Sequence, residues 1–175
     1  DNLLETIASY NTGADFDLIK KAYVFAAKAH EGQMRKSGEP YLSHPLGVAY
    51  LLAKMKLDVA SIVGALLHDT VEDTGVTLEE IERIFGAEVR QLVDGVTKLG
   101  KIKFNTSEER QAENFRKMIM AMAQDIRVIL IKLADRVHNM RTLDPMPEQK
   151  QVEIAQESAD IYAPIANRLG IQEFK

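Results

Sequence analysis

Apolar residues recur at helical spacing along almost the whole chain, and this feature most constrains the fold. The first such segment predicts a helix from Asp15 to His30, with Asp15 as its N-cap and Gly32 just past its end. Its apolar face comprises Leu18, Ile19, Ala22, Phe25, Ala26 and Ala29. The pattern predicts an all-α fold, a compact bundle of unequal helices.

Further helices are expected in most of the remaining chain. They cover Ser43 to about Met55, Val59 to Leu67, a short helix that starts at Thr77 and is closed by Gly86, Ala87 to Lys98, Thr106 to about Gln124, Ile126 to Leu143, and about Glu148 to Ala163. Their expected N-caps are Ser43, Asp58, Thr77 with Glu80, and Thr106 with Glu109. Pro164 is expected to kink or restart the last helix. Residues 128–131 could also form a buried strand, but the length and period of the segment favour a helix.

Length and composition indicate one globular domain over residues 1–175, with 46% apolar and 27% charged residues. The absence of cysteine excludes disulfides and thiolate metal sites. No apolar run is long enough to span a membrane, so a soluble, cytoplasmic protein is expected. Lys and Arg total 22 against 26 Asp and Glu, a net charge of −4, which disfavours binding to long nucleic acids. A polyanionic partner would therefore be a small ligand, met by local basic residues and a metal.

Ionisable residues crowd together directly after the apolar segment that ends at Leu67. His68 and Asp69 are neighbours, Glu72 lies four residues beyond His68, and Asp73 follows it, so four ionisable groups fall within six residues. Such crowding is costly unless a cation or a substrate uses it, which favours a metal site. A solvated loop between two helices is the alternative, with His68 interacting with a helix C-terminus.

A second set of polar residues forms one stripe on the helix predicted from Ile126 to Leu143. The stripe comprises Lys132, Asp135, Asn139 and Thr142. An ordinary surface helix also has a polar stripe, but apolar residues flank this one, so we expect it to face an interior cleft. Together, two imidazoles and two carboxylates could enclose one divalent ion and leave positions for water: His44, His68, Asp69 and Asp135. This ligand set suits Mn, Fe or Zn better than Mg or Ca.

Two basic loops complete the set of candidate features. In the loop before His44, Arg35 could clamp phosphate or stack on a base, and Lys36 adds a second positive charge. A charged surface turn is the alternative for this loop. The second loop, residues 100–105, follows Lys98, includes Lys101 and Lys103, and is predicted to be mobile.

With these motifs laid out, the sequence resembles the hydrolase domain of the Rel/Spo alarmone synthetase–hydrolase family, a branch of the HD phosphohydrolases. Three blocks carry the resemblance: residues 35–45, residues 68–74 and residues 132–143. The resemblance implies Mn-dependent hydrolysis of guanosine 3′,5′-bis(pyrophosphate) and its pentaphosphate relative. The 3′ pyrophosphate would be released, leaving GDP or GTP and ending the stringent response.

Carried over to this sequence, the resemblance implies a role for each site residue. The Mn ligands would be His44, His68, Asp69 and Asp135. Glu72 and Asp73 would position or deprotonate the attacking water. The nucleotide would be held by Arg35, Lys36, Ser37, Asn139 and Thr142, the last two on its guanosine side.

Three other hypotheses remain open at the level of sequence. The domain could sense nucleotide without hydrolysing it, although it retains His68, Asp69, Glu72 and Asp73. It could be a stand-alone HD hydrolase of another nucleotide, or a helical interaction domain. Residues 165–175 resemble the run that leads to a synthetase domain, so we expect an N-terminal fragment of a longer protein with an adjacent synthetase domain.

Overall fold

The structure is a computed structural model that describes residues 2–102 and 108–171, apart from the side chains of residues 108–111 and 114. Within these ranges the chain is helical, and its only β-pairing is an isolated bridge between Met34 and Pro40. The all-α prediction is confirmed. The helices are α1 (Asn2–Ala8), α2 (Phe16–Ala29), α3 (Ser43–Lys54), α4 (Val59–Leu67), α5 (Thr70–Asp73), α6 (Leu78–Phe85), α7 (Ala87–Gly100), α8 (Glu108–Gln124), α9 (Ile126–Arg141), α10 (Glu148–Glu157) and α11 (Ala163–Arg168), with a π-helical turn (Ser158–Tyr162) between the last two.

The predicted caps differ in outcome. Asp15 accepts a hydrogen bond from Leu18 N at 2.9 Å, and Thr77 accepts one from Glu80 N at 3.2 Å, so both N-caps are confirmed. The prediction for Ser43 was wrong because this residue is the first of α3, after Leu42 at the N-cap position. Asp58 occupies the N-cap position of α4, but its carboxylate binds Ser61 and Arg127 instead of the backbone. The box expected at Thr106 lies outside the described residues.

Helix α4 is the centre of the bundle and is packed against α2, α3, α7 and α9. Every residue from Ser61 to Leu67 is buried. A helix that is apolar on all sides must be surrounded by other helices, and the sequence of α4 meets that condition. Its C-terminal end therefore delivers His68 and Asp69 into the interior of the domain.

Helix α9 crosses this core, and its N-terminal half approaches α7 closely. A Cβ atom added to Gly95 of α7 would lie 2.7 Å from Val128 Cγ2 of α9, so the two helices meet at a glycine. The apolar residues of α9 are only partly buried, since Leu133 is buried but Ile126 and Met140 are exposed. The buried set instead includes Val128, Ile131 and Asp135, because α9 turns its polar stripe inward toward α3 and α4.

The C-terminal helix predicted from Glu148 to Ala163 is divided. Helix α10 ends at Glu157, and the π-helical turn closes with a hydrogen bond from Ala163 N to Ser158 O. Pro164 lies in the first turn of α11, where its missing N–H is tolerated. The restart expected at Pro164 is confirmed, whereas the π-helical turn before it and the short helix α1 were not predicted.

In the parts of the chain that the structure describes, none of the helices is both long and apolar enough to cross a membrane. The basic loop predicted at residues 100–105 is described only in part. Helix α7 continues through Gly100, and Lys98 belongs to that helix, where it pairs with Asp94. Lys103 lies outside the described residues.

Candidate active site

Three helices bring the predicted metal ligands together. His44 is the second residue of α3, His68 and Asp69 follow the last residue of α4, and Asp135 lies in the inward-facing part of α9. His44, His68 and Asp135 are each at least 95% buried. Ligand atoms of these three residues all lie within 4.8 Å of one another, so they could hold a single metal ion.

The carboxylates lie against the Nε2 atoms of both histidines. His44 Nε2 is 2.7 Å from Asp135 Oδ1 and 3.7 Å from Asp69 Oδ2. His68 Nε2 is 2.9 Å from Asp69 Oδ1 and 3.5 Å from Asp135 Oδ1. Asp69 thus contacts both histidines from the more exposed side of the cluster, with 14% of its side chain accessible.

The hydrogen bond at the other nitrogen of His68 tests whether a cation fits. His68 Nδ1 lies 2.6 Å from Ala65 O, which can only accept, so Nδ1 carries the proton. In the neutral ring Nε2 is then an acceptor, and this buried atom has no hydrogen-bond partner despite its nearby carboxylates. Histidines that bind metals commonly donate their other N–H to a carbonyl, so His68 has the arrangement of a ligand.

Without a cation, the cluster perturbs its own ionisation. Burial opposes the charge of Asp135, but Lys132 and then His44 and His68 outweigh burial and hold the pKa of Asp135 well below its usual range. Burial likewise opposes the charge of His68, yet Asp69 and Asp135 raise the pKa of His68 well above its usual value. A divalent ion would supply the positive charge that His68 otherwise provides.

Glu72 and Asp73 belong to the short helix α5, at the edge of the cluster. Asp73 Oδ2 accepts a short hydrogen bond from Tyr41 OH, and the same hydroxyl lies 3.3 Å from Asp69 Oδ2. Burial, together with Asp69 and Asp73, raises the pKa of Glu72, although Lys132 and His68 act in the opposite direction. Helix α5 therefore holds two carboxylates beside the ligands, one of them tied to Asp69 through Tyr41.

The polar stripe of α9 lines a cleft with a volume of about 400 Å³, which opens onto the carboxylates. Its walls include all four residues of the stripe, the three residues predicted to hold nucleotide in the loop before α3, and two predicted metal ligands besides Asp135 of the stripe: Lys132, Asp135, Asn139, Thr142, Arg35, Lys36, Ser37, His44 and Asp69. The expectation that the stripe faces a cleft is confirmed.

Two residues of the cleft wall, Arg35 in the loop and Asn139 on α9, are held by hydrogen bonds. The loop is closed by hydrogen bonds from Arg35 N to Glu39 O and from Gly38 N to Arg35 O, both 2.9 Å. The Arg35 guanidinium donates to Thr142 Oγ1 at 3.1 Å, which joins the loop to the end of α9. Asn139 donates to Asp135 Oδ1 at 3.2 Å, so this residue supports the carboxylate of a predicted metal ligand as well as lining the cleft.

Sequence reasoning assigned no role to Tyr41 or His138. Tyr41 lies three residues before His44, and its ring stacks on His30 with the centroids 4.5 Å apart. His138 lies three residues after Asp135, and its Nδ1 is 2.7 Å from His44 Nδ1. For His138 the spacing from a predicted ligand was the available signal, since positions three apart on a helix share a face. Tyr41 precedes the first residue of α3, so this signal does not apply to it.

Comparisons with known proteins agree with this geometry. A family model described as HD domain matches residues 22–172. The chain is 66% identical over 173 residues to a GTP pyrophosphokinase of Myxococcus xanthus, across 97% of this chain and 23% of that relative. It is 54% identical over 175 residues to the bifunctional (p)ppGpp synthase/hydrolase SpoT of Escherichia coli strain K12, across 100% of this chain and 25% of that relative.

One solved structure is also similar to the chain. It is described as a metazoan ortholog of SpoT that hydrolyzes ppGpp and plays a role in starvation responses. It matches with a TM-score of 0.60 and 31% identity, over 78% of each chain. By contrast, the chain spans about a quarter of the length of the two curated relatives.

Proposed function

Since the chain belongs to the HD domain family and its resemblance to the Rel/Spo hydrolase domain is confirmed, we propose that it hydrolyses guanosine 3′,5′-bis(pyrophosphate) and its pentaphosphate relative. The products would be pyrophosphate and either GDP or GTP. This hydrolysis would end the stringent response. The observation that carries the proposal is the His–Asp cluster, which lies at the wall of a cleft lined by Arg35, Lys36 and Lys132.

The substrate assignment is supported by what the similar proteins are named to do. A 54% identical relative is named a (p)ppGpp synthase/hydrolase, and the structurally similar metazoan protein hydrolyzes ppGpp. Another relative, 66% identical, is named for the synthetic activity, but the chain covers only 23% of its length. We assign no synthetase chemistry to these residues. That a synthetase domain adjoins this one in a longer protein, and that the protein is cytoplasmic, remain predictions.

We assign Mn²⁺ as the cofactor, with His44, His68, Asp69 and Asp135 as the residues that would hold it. Two carboxylates bring a divalent ion to formal neutrality, and mixed imidazole and carboxylate ligands suit Mn²⁺, Fe²⁺ or Zn²⁺. When bound, such an ion acidifies water and polarises a phosphoryl oxygen. The Mn²⁺ assignment comes from the family resemblance, since the donor set alone does not separate these metals.

Glu72 and Asp73 are proposed to prepare the attacking water. Each presents a carboxylate at the edge of the cluster. Burial raises the pKa of Glu72, which makes its carboxylate a stronger proton acceptor than that of an ordinary glutamate. Tyr41 donates to Asp73 and thereby fixes its carboxylate beside Asp69. The proton taken from water can then reach solvent through α5, where both carboxylates are exposed.

The cleft is proposed to hold the nucleotide through its charged wall. Arg35 can clamp a phosphate bidentately and Lys36 adds a second charge, while Ser37 offers a hydroxyl on the same loop. Asn139 and Thr142 would contact the guanosine side from α9. Phosphoryl transfer depends mainly on positioning and charge cancellation, and the cleft supplies both.

The test is release of pyrophosphate from guanosine 3′,5′-bis(pyrophosphate), measured with Mn²⁺ and with a chelator. We expect Mn²⁺-dependent release with GDP as the other product. Guanosine 5′-diphosphate, which lacks the 3′ pyrophosphate, is the matched control substrate and should be left intact. Absence of turnover in a folded, metal-loaded sample would contradict the proposal. Tight nucleotide binding without turnover would then favour a sensing domain, and turnover of another nucleotide would favour a different HD hydrolase.

A further inference from the structure

We propose that His138 is a positioning residue for the metal ligand His44. In this inference, which rests on the metal site of the proposed function, His138 accepts the Nδ1–H of His44, so that His44 Nε2 presents its lone pair to the ion. The two Nδ1 atoms lie 2.7 Å apart, within hydrogen-bond distance. His138 itself is not among the proposed ligands, because its Nδ1 faces Nδ1 of His44, whereas Nε2 of His44 faces Asp135.

The direction of this hydrogen bond follows from Arg35. Its guanidinium Nη1 lies 3.4 Å from His138 Nδ1, and a guanidinium can only donate. His138 Nδ1 must therefore be an acceptor, which places the ring proton of His138 on Nε2. Since His44 Nδ1 lies 2.7 Å from this acceptor, it must carry a proton and donate it to His138 Nδ1.

The consequence appears at the opposite nitrogen of His44. With the proton on Nδ1, the neutral ring has a lone pair at Nε2, only 2.7 Å from the carboxylate oxygen Oδ1 of Asp135. In the metal-free cluster a proton on Nε2 bridges these two atoms, which lie at hydrogen-bond distance, and a bound divalent ion would take the place of that proton. His68 has the same tautomer, fixed by Ala65 O, so both histidines would present Nε2 to one ion.

The backbone of α3 is shaped to admit the His138 ring. A Cβ atom added to Gly47 would lie 2.4 Å from both Cδ2 and Nε2 of His138. Gly47 is three residues after His44, so the imidazole lies on the helix surface next to the ligand that it supports. This packing of the His138 ring against Gly47 does not depend on the hydrogen bonds, and it fixes the ring where its Nδ1 contacts His44.

The experiment is a titration of the metal-free chain with Mn²⁺ by calorimetry, comparing H138A, H138N and H138Q with the wild type. Asn can place its amide oxygen near the position of Nδ1, whereas the amide of Gln reaches toward the position of Nε2. We expect Mn²⁺ affinity to fall about 10- to 100-fold in H138A, as for other residues that orient ligands. H138N should recover most of the loss and H138Q should not. Met140→Ala, on the partly exposed side of the same helix, is the control and should bind as the wild type does.

A spectroscopic measurement reports the tautomer directly. In the Zn²⁺-loaded, ¹⁵N-histidine-labelled chain, we expect a protonated Nδ1 and a metal-shifted Nε2 for His44, with the Nδ1 proton retained in H138N and exchanging rapidly in H138A. Wild-type affinity in H138A, or equal losses in H138N and H138Q, would overturn the inference. So would a Zn²⁺-bound His44 with its proton on Nε2. Neither measurement requires turnover, so an inactive chain that shows the expected order of affinities would remove the proposed hydrolysis and leave the role of His138 intact.

Discussion

The partly buried Lys132 and the buried Asp135 form an ion pair, with Lys132 Nζ 3.0 Å from Asp135 Oδ2. The other carboxylate oxygen, Oδ1, faces His44 and His68. The pair therefore divides the carboxylate between two partners, leaving Oδ1 as the atom directed at the proposed ion. Burial opposes the charge of Lys132, but the proximity of Asp135 outweighs it and raises the pKa of Lys132.

Lys132→Met is expected to destabilise the metal-free domain strongly. Lys132 is the largest of the attractions that keep Asp135 charged, and removing one partner of a buried pair typically costs about 3–5 kcal/mol. Urea unfolding of the metal-free chain measures the loss. Lys98→Met is the matched control, because Lys98 pairs with Asp94 on the surface and such pairs contribute about 1 kcal/mol or less. Equal losses for the two variants would contradict this account of the pair.

Binding of Mn²⁺ is expected to stabilise the fold as well as the site. At roughly 100 times its dissociation constant, a ligand that binds only the folded state adds about 2.7 kcal/mol. For a domain of this size, that corresponds to a rise in melting temperature of about 5–10 °C. Differential scanning calorimetry with Mn²⁺ and with chelator checks it. Asp135→Asn should lose most of the rise, and an undiminished rise in this variant would place the ion elsewhere.

Substitutions of the carboxylates near His68 should separate metal binding from catalysis. Asp69→Asn is expected to lose both metal and activity, since Asp69 contacts both histidines of the cluster. Glu72→Gln and Asp73→Asn should retain the metal but lower kcat by about 10²- to 10⁴-fold, the usual contribution of a general base. Metal analysis of the purified variants, alongside kcat, checks this. A full metal complement in Asp69→Asn would remove it from the ligand set.

Gly95→Ala should destabilise the contact between α7 and α9. Its new Cβ would overlap Val128, and overpacking of this kind typically costs about 1–3 kcal/mol. Adding Val128→Ala should relieve the overlap, so the double variant should lose less stability than the sum of the two single variants. At Gly64 an added Cβ would meet its neighbours only at 3.4 Å, which makes Gly64→Ala the milder control. Additive losses in the urea-unfolding cycle would show that the helices do not meet as described.

In the Asp125→Asn variant, the free energy of unfolding should change less between neutral and acidic pH than it does in the wild type. The hydrogen bond from Arg127 lowers the pKa of Asp125 below its usual value. Because the pKa of Asp125 is lower in the folded state than in the unfolded state, its ionised carboxylate stabilises the fold. This stabilisation is complete above the unfolded pKa of ~3.9 and is lost as the pH falls through the folded pKa. Asn retains the N-cap, so the variant should be less stable by about 1 kcal/mol at pH 7. The difference should vanish near pH 2 in urea unfolding, and a difference that persists there would assign it to packing instead.

The sequence predicted the parts of the domain that local rules govern. Asp15 and Thr77 cap helices through hydrogen bonds to residues three positions away. The segment before His68 is apolar on all sides, which favours a buried helix. The His44, His68, Asp69 and Asp135 set was predicted from residue chemistry, and the fold places it in one cluster.

The remaining features depend on contacts between distant positions. His44 and His138 are 94 residues apart and Tyr41 and Asp69 are 28 apart, so no short-range pattern could pair them. The inward turn of α9 has the same origin. Exposure of Ile126 together with burial of Asp135 reverses what hydrophobicity alone would assign, because α3 and α4 meet the polar stripe.

Helix α10 differs from the helices that carry the proposed ligands, because none of its ten residues is buried. The free energy of opening a segment depends largely on the apolar surface that it keeps from water, so α10 should open far more often than α4. Its amide hydrogens would exchange with solvent while those of α4 remain protected. None of the proposed ligands lies on α10, so the site can persist through such local openings and be lost only with the central helices.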